Sequence, residues 1–238
     1  MNPRQARRLA SVLVLTLIAA CSGGPTVPPE ISVPVPTAAS EQDSVAPTPS
    51  PEAGSAATAI SEDQTGFMLR SAAFGDGGEI PARYTCDGAN ESPPLEWSGI
   101  PAGAGALVLV VFDPDAGPDL GATTDLGFIH WLVYDLPTTA TGVAAGGTGD
   151  AQALSGGVEA PNDFIAVTGS TFPGGTAIRG MGYDGPCPPA RHTYVFRLTA
   201  LDAPLGLPAG SPPAPVLRAM EGHVLAAADW TGMYSPSR

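Results

Sequence analysis

The residues able to do chemistry gather in two stretches of the chain. The first runs from Asp113-Pro114-Asp115 to His130-Trp131. Alternation along an extended strand places Asp113 and Asp115 on one side, and Pro114 withholds a backbone donor where the strand ends. The second is Gly182-Tyr183-Asp184-Gly185-Pro186-Cys187-Pro188-Pro189, followed by His192-Thr193-Tyr194. His192 and Tyr194 lie two apart and project from one strand face; the prolines before them make a rigid rim. Imidazoles, carboxylates and a phenol can all hydrogen-bond a small polar ligand. A carboxylate beside an imidazole fixes which ring nitrogen donates and raises the ring's pKa. Asp113 accepting from His130 or His192 would therefore aim an N–H or an imidazolium at an anion. On this reading anion binding strengthens as the pH falls through the histidine pKa.

Competing chemistries have less support. Asp113, His130 and His192 could form a two-histidine, one-carboxylate metal site, and a His-Trp pair in an apolar strand is often plain core. There is no Gly-x-Ser-x-Gly, hence no nucleophile elbow, and nothing marks a serine as activated. The expectation is a binding protein, not an enzyme, with no metal and no cofactor. His223 sits among alanines and a methionine with no partner in sight, and reads as structural or exposed.

Three apolar runs of strand length must position these residues: Ala106–Phe112, Phe128–Tyr134 and Thr193–Leu201. Shorter strand candidates lie at Phe67–Phe74 and Leu95–Trp97. Leu217, Met220, Val224 and Ala227 recur at three- and four-residue steps after Pro213 and Pro215, which predicts one C-terminal helix. The chain has 238 residues, 43% of them hydrophobic, with 30 Gly and 27 Pro. That many helix breakers exclude an all-helical protein. The fold predicted is mostly β, a two-sheet antiparallel sandwich with a C-terminal α-helix. A net charge of −13 argues against nucleic acid as a partner, and three cysteines with three histidines are too few for a zinc-finger scaffold.

Residues 1–20 read as a lipoprotein signal peptide. Arg4, Arg7 and Arg8 precede an apolar run from Leu9 to Ala20, which is too short to span a bilayer core needing about 20 residues. Ile18-Ala19-Ala20-Cys21 resembles the bacterial lipobox, in which the cysteine is acylated and becomes the mature N-terminus; the alternative is an ordinary signal peptide with an incidental cysteine. Diacylglycerol plus an N-acyl chain on Cys21 would give stable attachment to a membrane. Residues 21–64 follow as a tether. Between Ser22 and Gln64, 29 of 43 residues are Pro, Ser, Thr, Gly or Ala, none is aromatic, and every charge is acidic. Such a segment cannot bury enough apolar surface to offset its ordering entropy. Residues 65–238 form the folded domain.

Asp113-Pro114-Asp115-Ala116, His130-Trp131, Gly185-Pro186-Cys187-Pro188-Pro189 and His192-x-Tyr194 together resemble the phosphatidylethanolamine-binding protein (PEBP) family, above all its bacterial Raf-kinase-inhibitor-like branch. Arg83-Tyr84-Thr85-Cys86-Asp87-Gly88, Ser92-Pro93-Pro94-Leu95-x-Trp97-Ser98-Gly99, and His223–Ala226 through Gly232-x-Tyr234 extend the likeness over nearly all of residues 65–238. The resemblance implies a two-sheet sandwich whose pocket takes phosphate, acetate-like anions and phospholipid head groups. Carried over by motif, the pocket wall would be Asp113, Asp115, His130, Gly185, Pro186, His192 and Tyr194. It also implies an alternative function, inhibition of an envelope hydrolase or a kinase through protein contact. Cys86 and Cys187 fall in loops that the resemblance places near the pocket. In an exported protein they would form either a disulfide or two separate buried thiols. Departures from the family pattern gather at the rim: Ala116-Gly117-Pro118 delays the proline, the Gly/Thr-rich stretch 165–182 is longer than the bacterial branch leads one to expect, and Thr193 stands where a basic residue is commoner.

Overall fold

A computed structural model of the chain describes residues 66–236. The signal peptide, Cys21 and the tether lie outside the described residues. Among the described residues, nine strands form two sheets. The smaller holds β1 (Met68–Arg70), β3 (Leu95–Ser98) and β6 (Gly142–Val143) in the order β1-β3-β6. The larger runs β2-β9-β8-β4-β5-β7, where β2 is Gly78–Glu79, β4 Ala106–Asp113, β5 Phe128–Leu136, β7 Val158–Glu159, β8 His192–Leu201 and β9 Val224–Tyr234. All pairings are antiparallel except the two-residue β2–β9 edge.

The continuous apolar run of β4 follows from its position. It lies between β8 and β5, and each of its residues is buried. Leu107, Leu109 and Val111 face inward with Trp131 and Phe196, under Leu69, Leu95, Trp97 and Val143 of the small sheet. Val108, Val110 and Phe112 face the other way, against Leu132, Tyr134 and Val216. A strand covered on both faces has no polar face to alternate with. Each such Val or Leu contributes about 1.5–3 kcal/mol through its removal from water.

The helical prediction needs correction. α1 spans only Pro213–Ala219, starting on the proline as expected. The chain then turns through Gly222, whose φ of +81° lies in the left-handed region, and Val224–Tyr234 is strand. Met220, Val224 and Ala227 do share a surface with Leu217, but through the approach of strand to helix. The cause is tertiary. β9 pairs with β8 from His192↔Tyr234 to Leu201↔Val224, and a helix there would leave the β8 edge unpaired.

Candidate functional site

The end of β4 and the starts of β5 and β8 converge at one end of the large sheet. Asp113 closes β4 and is buried. Its Oδ1 accepts from the Asp115 backbone N–H at 2.9 Å, and its Oδ2 accepts from His192 Nδ1 at 2.7 Å. The first bond is the Asx-turn that a strand ending in Asp-Pro-Asp favours. Asp115 does not line the pocket. It lies in solvent past the end of β4, where Oδ2 accepts from Thr193 N at 2.7 Å and ties β4 to β8.

His130 reaches the site through an irregularity. β5 pairs Trp131 with Val111 but Ile129 with Phe112, so His130 is an extra residue opposite β4. Trp131 belongs to the inner core and Ile129 to the outer one. Strict alternation would send His130 outward; the bulge turns it inward, where its ring meets Tyr194 edge-on at 5.2 Å and Phe164 at 5.5 Å. Its Nδ1 lies 2.7 Å from the carbonyl oxygen of Asp184. Burial pushes the ring's pKa below its ordinary value, against the opposing charges of Asp113, Asp163 and Asp184. The expected Asp113 pairing therefore falls to His192, and an imidazolium at His130 is not what the structure favours.

Asp184 holds that carbonyl in place. Its fully buried carboxylate accepts from Asn90 Nδ2 and Asn162 Nδ2, both at 3.0 Å, from Gly180 N at 2.7 Å and from Arg179 N at 3.0 Å. The Gly/Thr-rich stretch thus supplies donors behind the pocket, and Phe164 before it supplies a wall. The sequence signal for Asp184 was a lone carboxylate in an apolar, proline-rich loop.

Gly185 and Pro186 belong behind the pocket wall. A Cβ on Gly185 would lie 2.3 Å from the Tyr84 carbonyl oxygen, so this position admits only glycine. Its N–H donates to Asn90 Oδ1 at 2.6 Å, and the Pro186 carbonyl accepts from Cys86 N at 3.0 Å. Cys86 is disulfide-bonded to Cys187, which lines the pocket; Cys86 packs with Phe172 and Ile178.

What these elements enclose is a hollow of about 120 Å³, walled by Asp113, His130, His192 and Tyr194 with Phe128 and Phe164. Tyr194 is fully buried. Burial, then the charge of Asp113 and a side-chain hydrogen-bond interaction with it, drives its pKa upward, so it stays a phenol; the hydroxyl lies beside that carboxylate without a hydrogen bond of good geometry. Among the described residues no cluster of three or more His, Cys, Asp or Glu is arranged to hold a metal ion. A larger groove, about 610 Å³, lies on the outer face between Val110, Leu126, Leu217 and Met220. Its Arg197 is already held bidentately by Asp229.

Comparison with known proteins now bears on the fold and site. The family model described as "Phosphatidylethanolamine-binding protein" matches residues 70–235. A UPF0098 protein of Methanothermobacter thermautotrophicus is 41% identical over 167 residues, covering 70% of this chain and 97% of its own. A Mycobacterium tuberculosis protein named as a lipoprotein, LppC, is 41% identical over 150 residues, covering 61% of this chain and 60% of its own. Among solved structures, the PEBP homolog CT736 of Chlamydia trachomatis superposes with a TM-score of 0.58 at 35% identity, covering 72% of this chain and 99% of that one. YbcL of Escherichia coli, described as a member of the mammalian PEBP family, gives the same score and coverage at 29% identity. A family match running from the first strand to the last, on a fold shared with solved relatives, makes this protein a member of the phosphatidylethanolamine-binding protein family.

Proposed function

We propose that this protein is a lipid-anchored envelope protein whose hollow binds a small anionic or phosphorylated ligand, such as phosphate or a phospholipid head group, without transforming it. The observation that carries the reading is the convergence of Asp113, His130, His192 and Tyr194 on one small hollow. The volume suits a phosphate-sized group and is well below the several hundred Å³ of a drug-sized pocket. The anchor rests on Cys21 and its preceding residues, and is supported by similarity to a protein named as a lipoprotein.

The test is a titration of the detergent-solubilised mature protein with inorganic phosphate, followed by NMR of the three histidine rings. The His130 and His192 resonances should move with one saturation curve, while His223, outside the hollow, stays still. Three rings that shift together, or none that shift, would reject the site.

A further inference from the structure

We infer that the hollow selects a phosphomonoester group in its singly protonated form, because the chain fixes His130 as a hydrogen-bond acceptor toward the ligand. This rests on the phospho-ligand reading above and names the class of ligand within it.

His130 Nδ1 faces the Asp184 carbonyl oxygen. A carbonyl oxygen can only accept, so the His130 nitrogen 2.7 Å away must carry the hydrogen. In a neutral ring the other nitrogen, Nε2, is then a bare lone pair. Burial keeps the ring neutral, against Asp113 of β4, Asp163 of the short 3-10 turn Asp163–Val167, and Asp184 of the loop before β8. The carbonyl cannot swing away to release Nδ1, because the Asp184 side chain is gripped by Asn90, Asn162, Arg179 and Gly180. The tautomer is thus set by the protein and not by the ligand.

The remaining groups sharpen the choice. Both oxygens of Asp113 are occupied, by Asp115 N and His192 Nδ1, but the carboxylate still repels an incoming dianion. Among the described residues no arginine lines the hollow. The donor that can turn toward a ligand oxygen is the Tyr194 hydroxyl, which lies beside Asp113 without a hydrogen bond of good geometry; the His192 Nδ1 hydrogen is already given to Asp113. A phosphomonoester dianion offers only acceptors and would set an oxygen lone pair against that of His130. A phosphodiester has one charge but no P–O–H. A singly protonated monoester satisfies both groups: its O–H donates to His130 Nε2, and an anionic oxygen accepts from Tyr194.

Two ligands separate this selectivity from the titration of the protein. Methyl phosphate loses its second proton near about pH 6, whereas dimethyl phosphate keeps one charge throughout. Any change in the protein's own charge acts on both, so the ratio of their affinities isolates the ligand's own proton. For the mature protein that ratio should favour the monoester at about pH 5.5 and fall by roughly tenfold or more by about pH 7.5. A ratio that stays flat or rises with pH overturns the inference. If neither compound binds at any pH, the phospho-ligand reading itself fails. Vesicles carrying phosphatidic acid, whose head group is a phosphomonoester, should show the same loss once that head group gives up its second proton, whereas inorganic phosphate keeps a P–O–H as the dianion and should lose less; the tighter of methyl phosphate and the vesicles identifies a free or a lipid-borne source. Independently, the ¹⁵N ring shifts of the free protein should show His130 protonated at Nδ1 and bare at Nε2. The opposite tautomer overturns the inference without any ligand.

Discussion

β8 has a histidine–aspartate pair at each end, and the two pairs have the same contact length. His192 meets Asp113 at 2.7 Å where the strand begins, and His223 meets Asp202 at 2.7 Å just past its end, roughly 34 Å away for ten residues of strand. Only their surroundings differ. The first pair has side chains 11% and 4% exposed, the second 49% and 49%. His223 thus has a partner, in the turn before β9, where the sequence had suggested none. At the buried end each polar atom must be met by the protein or by a ligand; at the exposed end water meets it. Distance alone does not identify a functional pair.

If the buried end is over-determined, removing its supports should cost the most. The Cys86–Cys187 bond joins residues 101 apart in sequence. Replacing both by Ser should lower stability by about 4 kcal/mol, from the loop entropy returned to the unfolded chain. Asp184→Ala strands four donors in a dry interior and should cost about 3–4 kcal/mol, near 10 °C in Tm for a domain of this size. Asp113→Ala leaves the His192 and Asp115 donors unmet and should cost about 2–3 kcal/mol. Thermal unfolding of the three variants beside Asp202→Ala checks the order. If Asp202→Ala is as damaging as Asp113→Ala, the contrast between the ends is broken.

Acid offers a second way to separate the two ends. His130 has a folded pKa held below its ordinary 6.5 by burial. The unfolded chain therefore takes up a proton near pH 6.5 that the folded chain refuses, and stability should fall as the pH drops below that point. The slope from this one group is at most about 1.4 kcal/mol per pH unit. Denaturant unfolding of wild type and His130→Phe across that window should show the slope reduced in the variant, whatever its absolute stability. Equal slopes would mean that His130 is already charged in the folded protein.

How much of this could be read from the residues follows the same division. β4 and β5 were legible because strands buried on both faces are nearly apolar throughout, and β8 by its β-branched and aromatic residues, its first half alternating between half-buried and buried. β9 was not: its alanines carry no strand preference, and only pairing with β8 makes it a strand. The four residues whose side chains matter most, Asp113, His130, His192 and Tyr194, were legible as types that bind polar ligands, and they do line one hollow. Asp115, Gly185 and Pro186 were assigned to that wall but support it from outside or behind. The partner of Asp113 was open between two histidines, since no period in a sequence announces a bulge. Asp184 acts through a backbone carbonyl, which every residue has, so its role appears only once the chain is folded. The joining of Cys86 to Cys187 likewise needed the loops to be placed.

The smallest effect expected is at the exposed pair, and it is the strictest check on the comparison. A double-mutant cycle on Asp202→Ala and His223→Gln should give a coupling of about 0.5 kcal/mol or less, as exposed ion pairs do. The turn does not depend on the side chains: Asp202 N donates to the His223 carbonyl at 3.0 Å, and His223 N donates to the Met220 carbonyl at 3.0 Å. Those backbone bonds remain when both side chains are cut. High salt should remove what coupling there is, because charges in water are screened over a few Å at about 1 M. The same cycle on Asp113→Ala and His192→Gln should give several times more and respond little to salt, since water reaches neither partner freely. Couplings of equal size at both ends would show that the 2.7 Å contact, and not burial, sets the strength of the pair, and the pocket would then have no special hold on its histidine.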